Sequence, residues 1–232
     1  MNYFKGLLAI LLASAVAYSC CVPQKTVEFK FIERPKNIYS SIAKLQVDLL
    51  DGSGSSAVAT AFAIDKRRLI TAGHYCEVIS SPQVLLFAGP IQVIILNNNE
   101  EQFTISGAKI VAIDHKNDLC LLYLKGHGVV PLEIVKRYRQ NVHVGDPIKV
   151  VGAPLGYFPV EADGKIVQLN SKGQGVISAP IGPGHSGSPV IDVNMKVVGV
   201  AVAAYTVYNK VSIMTPANTL LKFLRDNGVY LR

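Results

Sequence analysis

The sequence predicts an all-β fold that ends in one helix, and three observations support this. Short apolar runs separated by turn-forming clusters extend over residues 41–124, which is typical of successive β-strands. Residues 148–214 repeat the pattern, with glycine or proline at nearly every turn. Leucines then recur on one face after Pro216, with a threonine available as a cap, so a C-terminal α-helix is expected at about residues 216–226.

Six strand-forming runs make up the first half of the chain. They are residues 42–50, 57–64, 69–72, 91–96, 102–113 and 119–124. The first two are separated by residues 51–56, which are only aspartate, glycine and serine, residue types that favour turns. Residues 126–145 include a charged stretch and are the candidate connection between the two halves.

The bulk composition indicates one folded domain. The chain has 232 residues, of which 50% are hydrophobic and 17% charged, so it can bury a sizeable core and is too apolar for a disordered protein. The net charge of +7 is scattered apart from basic clusters at residues 66–68 and 136–139. A nucleic-acid groove would need a basic stripe interleaved with aromatic residues. Both clusters are therefore interpreted as solvated turns, and no nucleic-acid partner is expected.

Residues 1–19 have the features of a signal peptide. Lys5 precedes an apolar run at residues 6–17, and small residues lie just before Cys20, where cleavage is expected. The run is shorter than the roughly 20 residues of a membrane span, so an uncleaved anchor is the weaker alternative. Lipidation at Cys20 is a second route to a membrane. We therefore expect an exported protein, secreted or periplasmic, with an N-terminal extension at residues 20–37.

Three motifs carry candidate catalytic side chains in a fixed order. His74 ends the segment LITAGH, Asp118 precedes the run LCLL, and Ser186 lies in the glycine-rich segment GHSGSP. A serine needs a base to become a nucleophile, and small neighbours allow a substrate carbonyl to approach it. The predicted catalytic residues are His74 as the base, Asp118 as the group that orients it, and Ser186 as the nucleophile. Asp114 is the rival carboxylate.

This order of histidine, aspartate and serine resembles that of trypsin/chymotrypsin-like serine proteases. The second half looks most like the bacterial Deg/HtrA-type protease domain, through the segments VGDPI, VGAPLG, GVIS and KVVGV. The resemblance spans roughly residues 40–224. It implies two six-stranded antiparallel β-barrels of the chymotrypsin-like fold, at about residues 38–125 and 145–214, within a protease domain at 38–226. Only residues 226–232 follow, so the peptide-binding module of Deg/HtrA proteins is not expected.

The resemblance also implies roles for residues around the serine. The backbone N–H groups of Gly184 and Ser186 would form an oxyanion hole. Asp118 is preferred over Asp114 because it directly precedes an apolar run, as in the family motif. The walls of the specificity pocket are expected to be Pro180, Val202, Ala203, Val211 and Ile213. Since these side chains carry no charge, a small or medium apolar residue is expected before the cleaved bond.

Cys76 and Cys120 each lie two residues beyond a proposed catalytic residue. Because His74 and Asp118 must touch, the two cysteines are brought close, and a disulfide is expected in an exported protein; two buried free thiols are the alternative. No Cys-x-x-Cys or histidine-rich spacing occurs, so neither a metal site nor a cofactor is expected. The remaining histidines are interpreted as exposed loop residues: His115, His127, His143 and His185.

The sequence thus predicts an exported serine endopeptidase that cleaves proteins or peptides through an acyl-enzyme. A catalytically inactive, trypsin-like binding module is the alternative from another class, and it would require a broken triad or a collapsed oxyanion loop. A viral or phage processing protease is a further alternative, against which the export signal argues. The oligomeric state is left open.

Overall fold

The structure is a computed structural model that describes residues 37–231, apart from positions 51, 87, 98, 100, 126–127, 170–173 and 205–210. The predicted signal peptide, Cys20, nearly all of the N-terminal extension and His127 lie outside the described residues. Within them the chain is mostly β, as expected, and it forms an N-terminal sheet followed by a C-terminal barrel. None of the described helices is long and apolar enough to cross a membrane.

Seven strands form the N-terminal sheet. They are β1 (Ile42–Asp48), β2 (Ser56–Ala63), β3 (Arg68–Thr71), β4 (Gln92–Leu96), β5 (Gln102–Ser106), β6 (Lys109–Asp114) and β7 (Leu119–Tyr123). Their spatial order is β5-β4-β1-β2-β3-β7-β6, and all neighbouring pairs are antiparallel. In the central pair, Ile42 lies opposite Phe62 and Asp48 opposite Ser56.

Six strands form the C-terminal barrel. They are β8 (Pro147–Gly152), β9 (Val160–Leu169), β10 (Gly175–Ile177), β11 (Pro189–Ile191), β12 (Val197–Ala204) and β13 (Ser212–Pro216). The order β10-β13-β12-β11-β8-β9 closes because β9 pairs with both β8 and β10. The expectation of a six-stranded barrel in the second half is therefore confirmed.

The prediction of a six-stranded barrel is wrong for the first half. Its sheet has seven strands and is open, since no hydrogen-bond ladder joins the edge strands β5 and β6 within the described part of the chain. Both strands lie in one predicted run, residues 102–113, which the structure divides at Gly107. The Gly107 N–H still bonds to the Ile91 carbonyl (3.1 Å), and its positive φ of 87° then turns the chain into β6. The two edges are thus joined through a corner and do not pair as a hairpin.

Four α-helices belong to the described fold, namely α1 (Gly73–Ser80), α2 (Pro82–Leu85), α3 (Tyr138–Asn141) and α4 (Ala217–Asp226), besides two short 3-10 helices at Ile38–Ser41 and Pro154–Gly156. Helix α4 is the expected C-terminal helix, and it buries Leu220, Phe223 and Leu224 in the core that it shares with the barrel. The other three α-helices are short and were not predicted from the sequence.

The central strands β2, β3 and β7 of the N-terminal sheet are buried along most of their length, whereas the edge strands β5 and β6 are largely exposed or half-buried. Burial on both faces explains the nearly continuous apolar runs of the central strands. On one face, Ala59, Ala61 and Ala63 of β2 pack in a core that also includes residues of α1. On the other face, Phe62 packs in a core that is continuous with the barrel. Because side chains alternate along a strand, Thr60 lies on the same face as Phe62. The candidate catalytic residues meet at this junction between sheet and barrel.

Cys76 on α1 and Cys120 on β7 form a disulfide, with their Cα atoms 6.5 Å apart. Both cysteines are fully buried. The bond joins the helix that contains His74 to the strand that directly follows Asp118. It therefore links two elements that carry candidate catalytic residues.

Replacing both cysteines with alanine is expected to lower the free energy of unfolding by about 4 kcal/mol, because the disulfide restricts the unfolded chain over a long loop. Its two ends are 44 residues apart in sequence. Urea unfolding of the wild type and the double variant measures the difference, and mass spectrometry without reduction verifies the bond. Free thiols at both positions in protein from its native compartment would contradict this expectation.

Candidate active site

The three candidate catalytic residues lie where the N-terminal sheet meets the barrel. His74 is near the start of α1, Asp118 immediately precedes β7, and Ser186 lies in the loop between β10 and β11. His74 Nε2 is 2.9 Å from Ser186 Oγ, and His74 Nδ1 is 2.8 Å from Asp118 Oδ2. The structure thus brings the three side chains into one hydrogen-bonded chain. An ionised Asp118 accepts from Nδ1–H, which leaves the Nε2 lone pair facing the serine hydroxyl.

Asp118 also holds the start of α1. Its Oδ1 accepts a hydrogen bond from the backbone N–H of His74 (2.7 Å), one of the N–H groups that have no partner inside the helix. Ala72, the residue before the helix, provides no side-chain cap. A carboxylate is favourable at this end of a helix because the helix dipole is positive there. Contacts with both the backbone and the ring of His74 therefore fix the carboxylate.

Asp114, the rival carboxylate, is directed to the turn before Asp118. It accepts hydrogen bonds from the backbone N–H groups of Lys116 (3.1 Å) and Asn117 (3.0 Å). From the barrel, the Thr215 hydroxyl donates to the Asn117 carbonyl (2.6 Å). These bonds hold a turn in which Asp118 has a φ of 54°, an uncommon value for a residue other than glycine. Asp114 shapes the turn, and Asp118 reaches the imidazole.

Two glycines shape the loop around Ser186. Gly184 and Gly187 have φ values of 96° and 87°, a region that other residues rarely adopt. A Cβ at Gly184 would also lie 2.1 Å from the Ala153 carbonyl oxygen. Both the backbone conformation and the close packing therefore require glycine at position 184.

The two predicted oxyanion donors, the Gly184 N–H and the Ser186 N–H, make no hydrogen bond within the part of the chain that the structure describes. The Pro183 carbonyl, which shares a peptide plane with the Gly184 N–H, accepts from the Leu155 N–H (2.8 Å). That carbonyl is thus held by another part of the loop region.

The pKa of His74 is raised above its ordinary value. The main cause is the hydrogen bond to Asp118, which favours the charged imidazolium, and burial opposes it. The ring remains 44% exposed, so a substrate can reach it. An imidazole with a raised pKa is a stronger base than a free histidine, which suits removal of a proton from a serine hydroxyl.

The prediction that His185, directly before Ser186, is an exposed loop residue is wrong. His185 is only 4% exposed, whereas His115 and His143 are exposed as expected. Burial lowers the pKa of His185, and its Nδ1 accepts a hydrogen bond from the Gly182 N–H (3.2 Å). The ring is therefore neutral at neutral pH and packs beneath the loop. His185 is buried because the loop that carries it is itself buried at this position, and the polar residue type gave no sign of this.

The predicted pocket residues are only partly brought together. Ala203 on β12 and Ile213 on β13 are cross-strand partners, and Val202 is buried at the irregularity beside them. Pro180 is exposed, and Val211 directly precedes β13. The connection between the two strands lies outside the described residues.

Asp192, the acidic residue closest in sequence to β12, is engaged at the other end of that strand. Its Oδ1 accepts hydrogen bonds from the backbone N–H groups of Asn194 and Lys196, both 2.9 Å. It thereby closes the turn before Val197. At the ordinary rise of a strand, Ala203 lies about 20 Å further on, so Asp192 does not supply a charge there.

Thr60, Leu155 and Thr215 contact the catalytic loops, and none of the three was predicted from the sequence. Their bonds reach partners that are distant in the sequence, so no local motif marks them. Thr60 carried one signal, because it is the polar residue within the apolar run AVATAFA of β2. A buried hydroxyl in such a run needs a hydrogen-bond partner.

Comparisons with known proteins agree with this geometry. The trypsin-like peptidase domain family matches residues 59–200, which is more than half of the chain and includes His74, Asp118 and Ser186. The chain therefore belongs to the trypsin-like peptidase family.

Three solved structures share the fold. Deg5 aligns with a TM-score of 0.66 and 20% identity, over 83% of this chain and 92% of that chain. The Rv3671c protease from M. tuberculosis aligns with a TM-score of 0.64 and 20% identity, over 83% of each chain. The serine endoprotease from Yersinia pestis aligns with a TM-score of 0.65 and 15% identity, over 87% of this chain and 67% of that chain. With the family match, these alignments confirm the expected resemblance to trypsin-like and Deg/HtrA-type protease domains.

One curated relative also matches. The uncharacterized protein y4bJ of Sinorhizobium fredii is 33% identical over 101 residues. The match covers 40% of this chain and 15% of that protein, so the chain spans only a small part of its relative's length.

Proposed function

We propose that this protein is an exported serine endopeptidase in which His74, Asp118 and Ser186 act as a catalytic triad. The observation that carries the proposal is the continuous hydrogen-bond chain from the Ser186 hydroxyl through both ring nitrogens of His74 to Asp118. Each residue type has ordinary structural roles by itself. A nucleophile, a base and a fixed carboxylate in one chain are what acyl transfer requires.

The geometry supports acylation in two steps. Ser186 Oγ attacks the carbonyl carbon of the peptide bond while His74 Nε2 takes the hydroxyl proton, and the carbonyl oxygen becomes an oxyanion. The C–N bond then breaks as His74 returns the proton to the leaving nitrogen, which leaves an ester on Ser186. His74 next removes a proton from water, the water oxygen attacks the ester, and Ser186 leaves with that proton. Throughout, Asp118 stabilises the imidazolium.

The oxyanion would be bound by the N–H groups of Gly184 and Ser186. Each well-placed donor of this kind contributes about 3 to 4 kcal/mol to the stability of the transition state. Their lack of a partner within the described chain favours the enzyme over the inactive binding module, which would require this loop to be collapsed.

Labelling with a fluorophosphonate tests the proposal. Ser186 Oγ should form a bond to phosphorus with loss of fluoride, and peptide mapping should locate the adduct at Ser186. A His74→Ala variant is the matched control and should label far more slowly, because the hydroxyl loses its base. An adduct at another residue, or no adduct in folded protein, would overturn the assignment.

Export is supported by two features of the chain. The sequence predicts a signal peptide at residues 1–19. The bond between Cys76 and Cys120 suits an oxidising compartment, where disulfides persist. N-terminal sequencing of protein recovered outside the cytoplasm would identify cleavage before Cys20, and retention of Met1 would contradict it.

We further propose that the enzyme cleaves after small or medium apolar residues. Ala203 and Ile213 offer apolar surface on facing strands, and Asp192 is held at the far end of β12. A substrate lysine or arginine would find no counter-ion there to offset its desolvation. By the family resemblance, Pro180 lies at the pocket base, where trypsin has an acidic residue.

Cleavage-site profiling in a peptide library should yield Val, Ala or Leu before the cleaved bond, at least about tenfold preferred over Lys and Arg. The matched variant is Pro180→Asp, which introduces an acid at the proposed base and should increase cleavage after basic residues. A wild type that prefers Lys or Arg would contradict the assignment of the pocket. Mass spectrometry of the products gives both profiles.

A further inference from the structure

Thr60 connects the N-terminal sheet to the loop that carries Ser186. Its side chain is fully buried, and its hydroxyl donates to the Gly184 carbonyl (2.7 Å). Its backbone N–H donates to the Ser186 carbonyl (2.9 Å). The same hydroxyl accepts from the Ala153 N–H (2.9 Å), and the Thr60 carbonyl accepts from the Thr71 hydroxyl (2.7 Å). Every hydrogen-bonding group of Thr60 is therefore engaged at this junction.

The two carbonyls that Thr60 binds belong to the two residues that supply the proposed oxyanion donors. Each residue lies between two peptide planes: its N–H is in the first plane and its carbonyl in the second. Thr60 fixes the second plane at both Gly184 and Ser186. The first planes are held by two further hydrogen bonds. The Leu155 N–H donates to the Pro183 carbonyl, and the Ser188 N–H, within the same loop, donates to the His185 carbonyl. The directions of both donors are thus set from both sides.

Close packing prevents the loop from finding another position against Thr60. A Cβ at Gly187 would lie 2.2 Å from the Thr60 carbonyl oxygen. A Cβ at Gly152, on the neighbouring strand β8, would lie 2.8 Å from the Thr60 hydroxyl oxygen. The loop and the strand therefore approach Thr60 as closely as glycine allows.

Thr60 links the two halves of the molecule, which contribute different parts of the candidate active site. His74 and Asp118 come from the N-terminal half, whereas Ser186 and the oxyanion donors come from the barrel half. Within the described residues, both hydrogen bonds from the N-terminal sheet to the backbone of residues 183–187 come from Thr60. It therefore sets the position of the nucleophile loop relative to the base.

We propose that Thr60 is a positioning residue that holds the Gly184 and Ser186 N–H groups in the geometry that binds the oxyanion. This inference rests on the proposed function of Ser186. Thr60 is fully buried, and none of its hydrogen bonds within the described residues reaches the imidazole. Its effect is exerted through the loop.

The test compares Thr60→Val, which keeps the shape and removes the hydroxyl, with Thr60→Ser, which keeps the hydroxyl. A fluorogenic peptide with the residue selected by cleavage profiling gives kcat and KM, normalised to Ser186 sites titrated with a fluorophosphonate. We expect kcat of the valine variant to fall about a hundredfold, as for a small misplacement of catalytic groups, with KM little changed. The serine variant should retain most of the activity.

The affinity for a peptide boronate with the same sequence measures the binding strength of the oxyanion hole directly. The boronate's tetrahedral adduct on Ser186 places an oxygen where the oxyanion forms, so this affinity should fall in parallel with kcat in Thr60→Val. The acid limb of the pH profile should not move, because His74 and Asp118 keep their contacts. Ser56→Ala, on the same strand, removes an exposed hydroxyl that bonds to Asp48 and is the control for strand integrity.

The outcomes separate this inference from the proposed function. If Thr60→Val loses stability while kcat and boronate affinity stay at the wild-type values, the hydroxyl has a structural role only and the inference is overturned. A serine variant as impaired as the valine variant overturns it as well. If the valine variant does not fold, Thr60→Cys replaces it, because a thiol is a weak donor of similar size. Wild-type protein without a reactive Ser186 overturns both proposals together.

Discussion

Replacing Ser186 with alanine is expected to reduce peptide-bond hydrolysis on the order of a millionfold, because the variant has no atom that can form the acyl-enzyme. The side chain is partly exposed in a loop whose conformation depends on neighbouring glycines and on Thr60. The fold should therefore persist, and the free energy of unfolding should change little. Casein cleavage by purified protein measures the activity, and circular dichroism during heating measures the stability.

Two controls make the Ser186→Ala result specific. A Ser188→Ala variant removes a nearby buried hydroxyl of the same loop and should remain active, since Ser188 contacts neither His74 nor Asp118 within the described structure. The alanine variant at position 186 should also fail to react with a fluorophosphonate. Casein cleavage at the wild-type rate by Ser186→Ala would mean that another residue is the nucleophile.

The sequence predicted the parts of the fold that depend on local patterns. Apolar runs bounded by turn residues predicted strands, and Pro216 followed by spaced leucines predicted α4. The open first sheet depends instead on the corner at Gly107, whose N–H bonds to the Ile91 carbonyl and whose positive φ turns the chain into β6. A run of apolar residues gives no sign of such a corner. The first barrel was therefore predicted closed, although the structure leaves it open.

The candidate site, too, could be predicted only where it depends on local sequence motifs. His74, Asp118 and Ser186 could be identified from their order and flanking residues, because each lies in a short motif. The residues that hold them, Thr60 and Thr215, bond to carbonyls 124 and 98 positions away. In strands that are buried on both faces, alternation does not reveal which side chain faces the partner half. Only the assembled fold gives these residues a function.

Asp118→Asn is expected to lower kcat about ten-thousandfold, while Asp114→Asn should have a mild effect. The carboxylate of Asp118 accepts from the ring and from the backbone N–H of His74, and an amide can present its NH₂ group to the ring and favour the wrong tautomer. Within the described residues, Asp114 accepts from the backbone N–H groups of Lys116 and Asn117, which an amide oxygen can still do, and an amide would lose only the bond from the Asn117 side chain. Steady-state kinetics on one peptide compares them, and the opposite ranking would transfer the orienting role to Asp114.

The pH dependence gives the same assignment a second readout. His74 must be neutral to accept the proton of Ser186, so kcat/KM should fall as the pH drops through the pKa of His74, which the hydrogen bond to Asp118 raises above its ordinary value. Removing that carboxylate removes the main cause of the raised pKa. The acid limb of Asp118→Asn should therefore move to lower pH even as its plateau falls, whereas the limb of Asp114→Asn should stay in place. An acid limb that does not move in Asp118→Asn would mean that this carboxylate does not control the base.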